Sequence, residues 1–256
     1  MLPPGDGPVR PAVREPVREG ADMAVAAASP RVKRFAPAAV CAVLLTAAAA
    51  TVAVRDGAPL APEQAAHHWA VAHRGEPLLS LARALTDTGT GVIPYLMAVL
   101  AGLLAGRGTL ARRLRTVLGT VAFLAACQVI RYGLMLLFAR PRPPAADWAV
   151  LASGHSFPSG HATTSALAAG ILAWGIARRT RPAAPRATTG RLEHACRAAL
   201  ALWAVGVGLT RVHLGVHWPG DVLAGWLLAT TLLTLAGPSL ARSGHGVNVV
   251  VERDLR

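Results

Sequence analysis

Charge is scarce in this chain. Of its 256 residues only 15% are Asp, Glu, Lys or Arg, against roughly 25% in an average soluble protein. Acidic residues number 13 against 26 basic ones, and Lys33 is the only lysine among the latter. Aromatic residues make up 5%. The three cysteines, Cys41, Cys127 and Cys196, stand far apart without metal-ligand spacing, which excludes a disulfide framework and a cysteine-based metal site. They read as small buried apolar side chains. What fills the chain is Ala, Leu and Val in long runs, and hydrophobic residues reach 53%. That excludes a disordered, a fibrous or an ordinary soluble protein and indicates an all-α integral membrane protein.

The net charge of +13 would suit a nucleic-acid binder, but its placement argues otherwise. The arginines lie in short segments between apolar runs, and no soluble basic domain is left once those runs are set aside. No nucleic acid is expected as a partner; the lipid bilayer is.

Residues 1–34, rich in Pro, Gly, Arg and Glu, read as a disordered tail. The run 35–54 is long enough to cross ~30 Å of hydrocarbon, as a signal anchor rather than a cleaved signal peptide. Residues 55–88 mix apolar and charged positions and predict an interfacial, partly helical segment; His67, His68 and His73 within it read as interfacial surface. Further runs at 89–106, 116–138, 162–177, 198–210 and 219–240 bring the count to six transmembrane helices in a domain spanning 35–240, with 241–256 as a second tail. With the N-terminus inside, Arg107, Arg112, Arg113 and Arg115 fall in one cytoplasmic loop. Arg178, Arg179, Arg181, Arg186, Arg191 and Arg197 fall in the next. Most basic residues then lie on one side, so the positive-inside rule places both termini in the cytoplasm.

Three polar clusters share the opposite, extracytoplasmic side. They are Arg140-Pro141-Arg142-Pro143-Pro144, Phe157-Pro158-Ser159-Gly160-His161, and the stretch from Arg211 through His213 and His217 to Asp221. Polar groups at a membrane are costly unless paired or functional. Each cluster suits a phosphate site. Arginine offers forked donors matching phosphate oxygens. Ser159 is a good N-cap for a helix whose first amides, at Gly160 and His161, bind anions. Gly160 admits close approach of a ligand to the backbone. His217 and Asp221, four apart, meet if a helix begins at Pro219, and a carboxylate on one imidazole nitrogen leaves the other as a lone pair for the substrate. His161 is then placed to give a proton to a leaving oxygen.

Together these residues resemble the type 2 phosphatidic acid phosphatase superfamily, which includes lipid phosphate phosphatases and is related to vanadium haloperoxidases. Its pattern is K-x6-R-P, P-S-G-H, then S-R-x5-H-x3-D. Pro158-Ser159-Gly160-His161 matches unaltered. Thr210-Arg211, His217 and Asp221 match the third element with Thr for Ser, and Arg142-Pro143 ends the first. Met135 stands where the family has lysine. Arg131, four residues earlier on the same helical face, is the leading candidate for the missing charge, and Arg140 is the second.

The resemblance implies a metal-independent lipid phosphatase without cofactor. In it His217 attacks phosphorus, Asp221 orients His217, and His161 serves as acid and then base. Arg142, Arg211, Ser159 and Gly160 bind phosphate, and Arg131, outside the family pattern, is expected to join them. A lipid phosphate or diphosphate of the outer leaflet, foremost undecaprenyl diphosphate of bacterial cell-wall synthesis, is the implied substrate. Phosphatidic acid and phosphatidylglycerophosphate are alternatives, as is a catalytically impaired lipid-binding relative. A plasma-membrane location with an extracytoplasmic site follows, and the sequence leaves homo-oligomerisation open.

Overall fold

In the computed structural model, residues 30–180 and 187–242 are described. Most of the expected N-terminal tail, nearly all of the C-terminal one, and Arg181 and Arg186 of the basic loop lie outside them. Eight α-helices account for most of the described residues: α1 (Pro30–Val54), α2 (Ala61–Ala72), α3 (Glu76–Asp87), α4 (Val92–Ala105), α5 (Leu110–Phe138), α6 (Gly160–Thr180), α7 (Ala187–His213) and α8 (Pro219–Arg242). A single 3-10 turn, Ala145–Asp147, interrupts the α5–α6 connection. Helix α1 starts at Pro30, inside the stretch expected to be tail.

Among the described residues, four segments are long and apolar enough to cross a membrane: Phe35–Val54, Leu110–Phe138, Gly190–His213 and Pro219–Gly237. Helices α3 and α4 make a fifth if read as one span bent by 50°. The expected run at 89–106 is thus shorter as a helix than it looks in sequence. Gly91, at φ +68°, separates α4 from the turn before it, and the 14 residues of α4 extend only ~21 Å. Helix α6 falls outside that set for another reason. Its first turns carry Thr163, Thr164 and Ser165, all buried against protein, so its apolarity is diluted where it meets other helices instead of lipid.

Helix α6 is the centre of the bundle, packed against α4, α7, α8 and α5. Leu167, Ile171 and Leu172 of α6 meet Ala98 and Ala101 of α4, Leu124 and Cys127 of α5, and Ala229 of α8 in one buried cluster. Small residues permit these approaches, as expected where packing rather than water drives association. A Cβ at Gly175 would lie 2.7 Å from the Ala101 backbone, and one at Gly102 would lie 2.5 Å from the Val117 backbone. Thr120 Oγ1 donates to Ala98 O across the α4–α5 contact at 2.8 Å.

Antiparallel connectivity brings the end of α5 and the starts of α6 and α8 to the same end of the bundle as the last turn of α7. At the other end, Arg107 donates to the Arg179 carbonyl at 2.6 Å, joining the two basic loops. The 55–88 segment is more built than the interfacial expectation. It forms α2 and α3, which pack on α7, and α2 also touches α8. His67 is fully buried and pairs with Asp147 at 2.9 Å, which corrects its reading as interfacial surface. A carboxylate distant in sequence meets its ring, so the imidazole can leave solvent.

The α4–α6 contact sets a stability test. Gly175→Leu should cost about 1–3 kcal/mol by overpacking, read as a lowered unfolding temperature in detergent. Gly119→Ala, with open space around it, should leave that temperature unchanged or slightly raised.

Candidate active site

Helix α8 begins at Pro219, so Asp221 lies in its first turn. There its Oδ2 accepts the Trp218 backbone N–H at 2.9 Å, as an acidic residue in a capping arrangement does. The same oxygen lies 3.4 Å from His217 Nδ1. With the proton assigned to Nδ1, the lone pair of Nε2 faces Arg142, whose Nη1 donates to it at 3.0 Å. Burial first, then the charges of Arg142 and Arg211, lower the His217 pKa to about 4, against the opposing pull of Asp221. The imidazole is therefore neutral, the form a nucleophile needs.

Arg142 is held by carbonyls. Nε donates to Gly154 O at 3.0 Å, Nη1 to Val216 O at 2.8 Å, and Nη2 to Ser153 O at 2.8 Å and His155 O at 3.1 Å. These bonds fasten the loop before α6 around the guanidinium. Arg211, on the last turn of α7, donates from Nη1 to Thr86 Oγ1 at 2.8 Å. Ser159 precedes α6 and is fully buried. Its Oγ accepts the Ala162 amide at 3.5 Å, so the hydroxyl faces the helix it caps.

A cavity of about 470 Å³ opens between these elements, lined by His161, His217, Arg131, Arg142, Arg211, Gly160, Met135 and Thr90 among others. Among the described residues no carboxylate lines it. Three guanidinium groups and the start of α6 thus face one space, a strong field for an anion. Arg131 stands beside Met135: its Nη1 lies 3.5 Å from Met135 Sδ, and a Cβ at Gly160 would lie 3.5 Å from the same nitrogen. The Nε atoms of Arg131 and Arg211 are buried without a hydrogen-bond partner, a state costing about 1–3 kcal/mol per donor. His161 Nε2 lies 3.3 Å from Thr90 Oγ1.

Of the residues singled out in sequence, His161, His217, Arg142, Arg211, Gly160 and Arg131 line the cavity, and Asp221 stands behind His217. Ser159 does not line it. Arg140, the second candidate for the missing charge, points away and is buried between Glu63 and Asp221, with nitrogen–oxygen distances of 2.8 and 2.7 Å. His155 lines the cavity, whereas His213 lines a groove between α3 and α7. Sequence reasoning missed Glu63, Thr86 and Thr90. Only Glu63 carries a local signal, since its Oε2 reaches back to the Leu60 amide at 2.8 Å as a helix-start carboxylate does.

The profile of the PAP2 superfamily matches residues 114–242, which contain the whole histidine and arginine set. The chain belongs to the PAP2 superfamily. Its fold is similar to that of the crystal structure described as the first transmembrane PAP2-type phosphatidylglycerolphosphate phosphatase from Bacillus subtilis. That likeness has a TM-score of 0.66 and 23% identity over 81% of this chain and 97% of that one. No curated protein matches the chain. Helices α1 to α4, which carry Glu63 and Thr86, and the α3–α4 connection, which carries Thr90, precede the part matched by the PAP2 profile.

The electrostatics of this PAP2 site are measurable. In nitrogen-15 NMR of the detergent-solubilised protein, His217 should titrate near 4, so that it is already neutral at pH 5. Asp221→Asn, which removes the influences raising that pKa, should move the midpoint lower still. A His217 midpoint above 6 would contradict the assignment.

Proposed function

We propose that this protein is a membrane lipid phosphatase working through a phosphohistidine. The observation that carries the reading is the carboxylate-free cavity in which three arginines surround His217 and His161. In the first step His217 Nε2 attacks phosphorus, the bond from phosphorus to the leaving oxygen breaks, and that oxygen takes a proton from His161, which enters the step as imidazolium once the substrate phosphate's negative charge offsets the three arginines. In the second, water loses a proton to His161 and attacks the phosphohistidine, freeing inorganic phosphate and restoring His217. Arg131, Arg142, Arg211 and the amides at the start of α6 stabilise the equatorial oxygens, where charge spreads in the transition state. Asp221 keeps the His217 proton on Nδ1 and supports the imidazolium. Ser159 acts through the helix it caps.

We read the domain as six spans, with α3–α4 and α6 crossing alongside the four long helices and both termini inside. The concentration of arginines at the end opposite the cavity supports this orientation. The site then faces the outer leaflet of the plasma membrane, where undecaprenyl diphosphate is the substrate we favour. Phosphatidic acid and phosphatidylglycerophosphate are the alternatives that a substrate panel separates.

Purified protein should release phosphate from at least one of these lipids with a chelator present, and His217→Ala should lower kcat by at least ~10³-fold. Acid-labile, base-stable phosphate should appear on the wild-type protein after rapid quenching and be absent from the variant. Lipid binding without phosphate release from wild type would favour a catalytically impaired relative.

Arg131 is open to a separate test. Losing one charged donor to phosphate, worth about 1.5–3 kcal/mol, predicts a roughly 10- to 100-fold fall in kcat/KM for Arg131→Ala. Adding Met135→Lys, on the same cavity wall, should recover part of that loss. Unchanged constants in Arg131→Ala would assign the arginine a structural place only.

A further inference from the structure

Behind His217 the polar network continues into a helix that the family profile does not reach. Glu63, on α2, is 8% exposed, and Arg140 and Asp221 are 2% and 0% exposed. Glu63 Oε1 accepts from Arg140 Nη1 at 3.2 Å and from the Gly220 amide at 3.0 Å. Its Oε2 accepts from Arg140 Nη2 at 2.8 Å and from the Leu60 amide at 2.8 Å. Four donors saturate the carboxylate. Arg140 in turn donates from Nη1 to Asp221 Oδ1 at 2.7 Å and from Nε to the Gly57 carbonyl at 3.2 Å.

The distances point to a balance. Asp221 is held more closely by Arg140, at 2.7 Å, than by His217, at 3.4 Å. Where Arg140 stands therefore decides how near the carboxylate comes to the imidazole. Glu63 takes the other side of the guanidinium through a fork of two bonds, a geometry that fixes direction as well as distance. It also ties down Gly220, the residue immediately before Asp221. Both the side-chain and the backbone position of Asp221 thus pass through Glu63.

We propose that Glu63 is a positioning residue that, through Arg140 and the Gly220 amide, sets the Asp221 carboxylate against His217. The inference rests on the reading of His217 as nucleophile. A purely structural brace would lower the amount of folded protein and leave the turnover of what folds unchanged. A positioning role changes kcat through Asp221 and leaves substrate affinity alone.

The experiment compares Glu63→Gln with wild type in the full-length protein, on a lipid phosphate turned over by the wild type, in the presence and absence of Asp221→Asn. Loss of a supporting partner behind a reactive group typically costs ~10- to 100-fold, so kcat should fall by that much, with KM within about threefold of wild type. In the Asp221→Asn background the same change should alter kcat less than about twofold, because effects transmitted through one residue do not multiply. Unchanged kcat in Glu63→Gln, or an equal fold-loss in both backgrounds, overturns the proposal. If Glu63→Gln does not fold, Arg140→Lys, which keeps the charge and loses the fork, carries the same expectations and the same overturning results. A wild type indistinguishable from His217→Ala sinks the nucleophile assignment and this inference together. A His217-dependent wild type with an unaltered Glu63→Gln sinks this inference alone.

Discussion

Asp221 has no contact with solvent, so its charge must be met by protein donors, and those donors organise one end of the molecule. The Trp218 amide, the His217 ring and the Arg140 guanidinium converge on it. Arg140 is itself buried and needs a second carboxylate, which α2 supplies in Glu63. Burial alone would lower the Arg140 pKa; Glu63 and Asp221 outweigh it and raise it. Removing one member of such a buried pair typically costs about 3–5 kcal/mol. Each desolvated charge therefore demands the next, and the demand carries from His217 to the start of α2.

The first turn of α8 separates two fields of opposite character. On the cavity side stand Arg131, Arg142 and Arg211 with no carboxylate among the lining residues. On the far side, Glu63 and Asp221 enclose Arg140. Three guanidinium groups around one space repel one another and make a field that favours a multiply charged anion. Helix α6 serves both fields. Its start brings Gly160 and His161 to the cavity wall, and its buried threonines and small residues let α4, α7 and α8 close around it.

Much of the site was legible because its chemistry is written in short spacings. Proline after His217 and Asp221 four residues on specify a helix start that brings carboxylate to imidazole, and α8 begins at Pro219. Arg131 stands one helical turn from Met135, and helical geometry alone puts it on the same wall. Ser159 was read as both a cap and a phosphate ligand, yet the bond to Ala162 turns its hydroxyl toward the helix. Arg140 carried no local sign of its direction. In sequence it looks equivalent to Arg142, two residues on, and regular alternation would put both on one face, yet Arg140 meets Glu63 and Asp221 while Arg142 lines the cavity.

The amino-acid sequence by itself determined that the chain is helical and apolar and that its polar clusters belong to one end, because run length, charge asymmetry and residue spacing are local quantities. Tertiary structure decided which helix braces Asp221, how α3 and α4 share a bent path, and why His67 is buried. Those outcomes depend on partners such as Glu63 for Arg140 or Asp147 for His67, lying about 80 residues apart. A buried charge states that it needs a counter-charge, and only the folded chain determines which one arrives.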